Sequence, residues 1–206
     1  MYKRSFFYSL FFVTCGAIVG SNACANSADT DFDDSFYMTQ ICTSYINKND
    51  HQYCDDGYVL KSETSETGET TETVLMDGIG SYGWNHISIN KIDADTYHMY
   101  VGCGNPCGAN MLFGRGGKEQ DFGREFNLDA KSRCSVGFNR DKRLWTASRF
   151  FSDKEIVLPS TYDPDTSAAY PKYNVEFDEK SRLIIKGYFE EEIVQTLPNP
   201  CTNRLK

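Results

Sequence analysis

The chain has 206 residues, 40% of them hydrophobic, and 29 Asp and Glu against 21 Lys and Arg give it a formal charge of −8. Such acidity repels nucleic acid and anionic lipid and suits a basic partner instead. The length is ample for one hydrophobic core, so any disulfides are expected to be auxiliary braces rather than substitutes for a core.

Residues 1–25 carry the pattern of a secretory signal peptide. Lys3 and Arg4 form a positive start, an apolar run of about 14 residues follows from Phe6 to Val19, and Ala23-Cys24-Ala25 supplies the small-x-small cleavage pattern. The run falls short of the roughly 20 residues a spanning helix needs, and no later stretch approaches it, so no membrane span is expected. Cleavage after Ala25 removes Lys3 and Arg4 and no acid, which moves the charge from −8 to −10. A lipid anchor on Cys24 is disfavoured because Ser21, Asn22 and Ala23 lack the aliphatic residue of a lipidation motif. The expected location is periplasmic or secreted.

Cleavage leaves six cysteines: Cys42, Cys54, Cys103, Cys107, Cys134 and Cys201. An even count in an oxidising compartment favours disulfides, although six cysteines allow 15 connectivities. The expected pairs are Cys42 with Cys54, Cys103 with Cys107, and Cys134 with Cys201. The first two close local loops, and the third ties down the C-terminal tail.

Residues 26–34 are small and acidic and read as a flexible N-terminus; residues 35–206 read as a single globular domain. Asp29, Asp31 and Asp33 imitate the start of a calcium loop, but Asp34 stands where that loop needs Gly and Gln40 where it needs Glu. From 35 to 47 two periods compete. Tyr37, Ile41 and Tyr45 recur at helical spacing, while Tyr37, Thr39, Ile41, Thr43 and Tyr45 suit a strand; a short N-terminal helix is the preferred reading. Residues 62–73 place Glu63, Glu66, Glu69 and Glu72 at every third position with no apolar side chain, so an acidic low-complexity loop is expected.

From Val74 onward the chain reads as strands punctuated by turns. Residues 87–92 and 96–103 flank Asp93-Ala94-Asp95, and Tyr97, Met99 and Val101 alternate with His98 and Tyr100, which predicts a hairpin. Further on, Phe126 to Val136 aligns without gaps on Val175 to Ile185, displaced by 49 residues. Each copy is an apolar-x-apolar strand, a D-x-K-S-R turn and a second such strand: a repeated antiparallel hairpin. The predicted fold is mainly β, a single-domain antiparallel meander, sandwich-like or partly propeller-like, and disulfide-braced.

No constellation carries recognisable catalysis. Gly78-Ile79-Gly80-Ser81-Tyr82-Gly83 has dinucleotide-loop spacing, but a strand rather than a helix follows it, so it reads as a turn. Ser81 lacks the glycine two residues earlier that a nucleophile elbow requires. His51, Cys54, Cys103 and Cys107 lack the paired spacing of a zinc site, and Cys103-Gly-Asn-Pro-Cys107 has three intervening residues where a redox motif has two. Nothing singles out a glycosidase carboxylate pair. No cofactor and no metal are expected, and the chain is read as a non-enzyme.

What remains is an exported binding protein, most specifically an inhibitor or immunity protein that neutralises a basic, envelope-acting toxin or hydrolase. A periplasmic hydrolase and a structural or accessory envelope protein are the alternatives. Glu190, Glu191 and Glu192, which follow a predicted strand, are the candidate partner-binding residues because like charges held on one face sum into a steering field.

Overall fold

Each strand pairs with its neighbour in sequence, so the fold is a succession of antiparallel meanders. The computed structural model describes residues 35–79, 86–104, 107–163, 170–189 and 192–202. Strands β1 (Phe36–Lys48), β2 (His51–Thr64) and β3 (Thr70–Asp77) make the first sheet. The second consists of β4 (His86–Asp93), β5 (Thr96–Gly104), β6 (Cys107–Gly114) and β7 (Lys118–Phe122). The third has β8 (Phe126–Asp129), β9 (Cys134–Asn139), β10 (Leu144–Arg149) and the short β11 (Ile156–Val157), after which Pro159–Thr161 forms a 3₁₀ turn. The fourth is β12 (Tyr173–Phe177), β13 (Leu183–Gly187) and β14 (Ile193–Leu197).

The sequence pattern explains how the sheets stack. On β5, Tyr97, Met99 and Val101 face the first sheet, where Phe36, Met38 and Val59 complete a core with Phe113 and Ile79. On the opposite face, His98 of β5 and Asn110 of β6 turn toward the third sheet: the His98 ring stacks on Phe126 at 5.1 Å, and the Asn110 side-chain amide donates to the carbonyls of Gly123 and Arg124 at 2.9 and 3.0 Å. On β9 and β10 the pairs Val136 with Ala147 and Phe138 with Trp145 share one face, and directly opposed residues of an antiparallel pair point the same way. That face meets Val175, Leu183 and Ile185 of the fourth sheet in a second core. The opposite face presents Ser135 and Ser148, whose hydroxyls lie 3.2 Å apart, and Ser148 accepts from the Gln120 side chain at 2.9 Å. Two apolar cores are thus joined by a polar seam. Both faces of β9 and β10 are covered, which is why their inner residues are buried without alternation.

The connection between β8 and β9 shows how the turns work. The Asp129 carboxylate accepts from the Ser132 hydroxyl at 2.5 Å and from the Asn199 side chain at 3.1 Å. Burial alone pushes the Asp129 pKa upward, but hydrogen bonds from Ser132, Ser181 and the amides of Lys131 and Ser132 outweigh it and hold the group below its ordinary value. In the second copy of the repeat, Asp178 accepts from the amides of Lys180 and Arg182 at 3.0 and 2.8 Å and from the Arg182 guanidinium at 2.8 Å. A third instance joins β9 to β10, where the Asn139 side chain accepts from the Lys142 amide at 3.0 Å. Arg133, Ser181 and Arg143 each take a left-handed φ, of 51°, 58° and 55°, to close these three turns.

Two disulfides fix the frame: Cys42 to Cys54 and Cys134 to Cys201. Cys107 is also disulfide-bonded, while the side chain of Cys103, its expected partner, lies outside those described. The second bridge anchors the C-terminal segment, and both Nε and Nη2 of Arg149 donate to the Cys201 carbonyl, at 3.1 and 2.8 Å.

Two expectations are corrected. Residues 36–48 form β1, a strand and not a helix. Phe36 and Met38 point into the core while their pairing with Glu63 and Lys61 satisfies the backbone, and tertiary packing selects the period of two. Residues 62–73 do not form a loop throughout: they supply the end of β2 and the start of β3, joined across Thr64 and Thr70, whose hydroxyls lie 2.8 Å apart. The β-branched threonines between the glutamates support the strand, and Glu63 accepts a hydrogen bond from the Gly116 amide at 2.5 Å.

Candidate functional site

β1 and β2 are far longer than the sheet they belong to. β3 pairs with β2 only from Tyr58 to Thr64, so residues 43–56 run on as a two-stranded arm that, among the described residues, has no third strand beside it. All of these residues except Cys54 are exposed. An isolated two-stranded hairpin is marginal in water, so this one needs another source of order.

Three features supply that order. The Cys42 to Cys54 bridge closes the arm at its base, where β3 ends. Gly57 sits opposite Cys42 beside a bulge, and any Cβ there would stand 2.2 Å from the Ile41 carbonyl oxygen, so only glycine permits the crossing. At the tip, Asn49 and Asp50 take φ values of 51° and 60°, the left-handed pair that matches the twist of a tight hairpin. Asp56 adds two bonds at the root, accepting from the Gly57 amide at 2.9 Å and the Thr43 hydroxyl at 3.3 Å.

The arm carries apolar side chains into solvent. Tyr45, Ile46 and Tyr53 are 55%, 45% and 46% exposed. Ile46 pairs with Tyr53 and Lys48 with His51, which gathers these four on one face, and the His51 and Tyr53 rings meet edge-on at 6.4 Å. Tyr45 lies on the other face, opposite Cys54. Large aromatic side chains on a rigid support lose little entropy when they bind, and Tyr is enriched among the residues that dominate protein interfaces.

A second exposed apolar group surrounds the β13–β14 connection, where Phe189, Ile193 and Val194 are 82%, 58% and 58% exposed. Tyr188 and Phe189 rings lie 5.1 Å apart, and Tyr170 lies 5.1 Å from Tyr188. Glu192, one of the three candidate glutamates, is exposed at the start of β14, and its carbonyl accepts from the Gly187 amide at 3.0 Å. Glu190 and Glu191 lie outside the described residues.

No family model, no curated protein and no solved structure matches this chain. Function therefore has to be read from the surface itself.

A cleft of about 760 Å³ lies among Ser35, Glu63, Asp95, Arg115, Arg133 and Phe151. Several of its charges are engaged within the protein: Arg115 pairs with Asp95 at 2.9 Å, Arg133 pairs with Asp93, and Glu63 accepts from the Gly116 amide. The cleft thus works as a joint between sheets. Among the described residues, no group of three His, Cys, Asp or Glu side chains is placed to hold a metal ion. Cys54 and Cys107 are disulfide-bonded and His51 stands on the arm. No described helix is long and apolar enough to cross a membrane.

Sequence reasoning missed the arm, although its signals were present. Asn49-Asp50 between the alternating residues 43–48 and 51–56 is a tight-turn dipeptide, and the expected Cys42 to Cys54 pair already implied two strands side by side.

Proposed function

We propose that this is an exported binding protein that acts by gripping a protein partner with the arm of residues 43–56, most specifically an inhibitor or immunity protein that neutralises an envelope-acting toxin or hydrolase. The observation that carries the reading is the arm itself: an exposed two-stranded projection, covalently clipped at its base, that holds Tyr45, Ile46 and Tyr53 in solvent. Such a projection contributes little to folding, and its preorganisation lowers the entropy lost on binding. The disulfides suit an extracytoplasmic setting, and the formal charge of −8 favours a basic partner by speeding encounter.

The test is affinity capture from envelope extract with the wild-type chain and with Tyr45→Ser/Ile46→Ser/Tyr53→Ser, followed by an activity assay on the captured protein. The expected result is a basic enzyme whose activity falls stoichiometrically on binding and which the triple variant neither captures nor inhibits. Capture that is unchanged in the variant, or a captured enzyme that keeps its full activity, contradicts the reading.

A further inference from the structure

We propose that the Cys42 to Cys54 bridge is a site of reversible thiol–disulfide exchange, opened by a dithiol reductant, and that its state orders or releases the arm. This rests on the reading of the arm as the gripping element and adds a control over it. Cys42 and Cys54 are half-buried while the residues around them, 43–53, 55 and 56, are exposed, so a dithiol reaches the sulfurs from solvent. Cys134 and Cys201 are 0% and 3% exposed. Exchange requires a thiolate to approach a bridge sulfur, and access therefore separates the two bridges.

What holds the sulfurs together once reduced separates them further. The Arg149 guanidinium donates to the Cys201 carbonyl, and the Asn199 side chain accepts from the Cys201 amide at 2.9 Å while donating to Asp129 at 3.1 Å. The fold thus keeps that pair of thiols together and favours its re-closure. At the arm the register shifts on both sides of Ser44, and beyond it, among the described residues, the two strands have only each other. Such a hairpin is marginal without its clip, so the opened thiols separate, and the effective concentration that re-forms the bridge is that of a short mobile loop.

The step balances as two exchanges. One thiolate of the reductant attacks a bridge sulfur, forming a mixed disulfide and expelling the other cysteine as a thiolate that takes up a proton; the second thiolate of the reductant then attacks the mixed disulfide and expels the second cysteine in the same way. Two electrons pass to the protein, and the dithiol leaves as a disulfide. Charge selects among reductants. Asp55 and Asp56 follow Cys54 directly, whereas Lys48 and His51 pair with one another at the far end of the arm, so the bridge stands on acidic ground that repels an anionic attacker.

The probe is dihydrolipoamide, a neutral dithiol, added at rising concentration to the oxidised full chain and compared with its anionic counterpart dihydrolipoate. Free thiols are alkylated with iodoacetamide and located by peptide mass mapping, and amide hydrogen exchange is followed on the same samples. Cys42 and Cys54 should open at a dithiol concentration about tenfold below that needed for Cys134 and Cys201, with exchange across residues 43–56 about tenfold faster, exchange in β9 and β10 unchanged, and both effects reversed on reoxidation. Dihydrolipoamide should open the bridge about threefold faster than dihydrolipoate at low salt, the difference shrinking as salt rises. Cys107 is exposed and disulfide-bonded as well, so Cys103→Ser/Cys107→Ser is run alongside and should show the same release of the arm. The inference is overturned if Cys42 and Cys54 stay oxidised until Cys134 and Cys201 open, if they open and the arm amides keep their rates, or if the arm responds only while Cys103 and Cys107 are present. A partner captured from envelope extract should bind Cys42→Ser/Cys54→Ser, the permanently open arm, about tenfold more weakly than the oxidised chain. Equal binding overturns the switch and leaves the grip standing, whereas capture of no partner by either form removes the proposed function while the exchange data still decide the release of the arm.

Discussion

Cys42 and Cys54 join β1 to β2 at the level where the third strand of their sheet gives out, with their Cα atoms 5.7 Å apart. The bridge therefore guards a part of the molecule that packing does not. Cys134 and Cys201 do the opposite: they cross-link two buried positions 67 residues apart.

The two bridges should consequently fail in different ways. Cys42→Ser/Cys54→Ser should leave the melting temperature nearly unchanged while amide exchange across residues 43–56 accelerates, because a loop of this size contributes about 3 kcal/mol of chain-entropy stabilisation, acting here only on the arm. Cys134→Ser/Cys201→Ser should lower the melting temperature of the whole molecule. Hydrogen exchange and thermal unfolding measured on the same samples separate the two, and a large global loss from the first pair contradicts this division.

Among the described residues Trp145 is the largest fully buried side chain, 1% exposed, and its indole N–H donates to the Tyr173 carbonyl at 3.0 Å across the core of the third and fourth sheets. Trp145→Ala removes that bond and opens a cavity, and should cost about 3–5 kcal/mol in denaturant unfolding. Trp145→Phe keeps most of the volume and should cost markedly less. Equal losses in the two variants would mean that packing is not what the indole provides.

His98 sets one pH dependence. Burial lowers its pKa below the ordinary 6.5, only partly offset by its 2.9 Å hydrogen bond to Asn110. The unfolded chain then takes up the proton more readily than the folded one, so stability is fully present above pH 6.5 and is lost as the pH falls through that value toward the lower folded pKa. Unfolding measured between pH 7.5 and 5.5 should show this decline, and His98→Gln, which cannot titrate, should show a shallower one. Asp129, with its pKa held below 3.8, adds a further loss only at more acid pH.

Much of the fold was legible. Tyr97, Met99 and Val101 alternate cleanly because β5 separates a core from a polar seam, and the repeated D-x-K-S-R turns are visible because Asp129 and Asp178 make the same local bonds. The third turn escaped notice because Asn139 stands in place of Asp, although its side-chain oxygen accepts in the same way. β1 was misread because its residues satisfy both periods, and only burial of Phe36 and Met38 distinguishes them. The acidic tract was misread because the threefold spacing of its glutamates hid the threonines that build β3. The arm is the hardest kind of feature to read: its exposed Tyr and Ile look like core residues in sequence, and what makes them surface is that β3 stops at Tyr58 and, among the described residues, no other strand takes its place.

The most direct test of the account is the hydrogen-exchange footprint of the wild-type chain bound to its captured partner. The account predicts that amides of residues 43–56, exposed in the free chain, become strongly protected in the complex, with Tyr45, Ile46 and Tyr53 at the centre of the protected region. Arm amides that exchange at the same rate free and bound, with protection confined elsewhere, would contradict it.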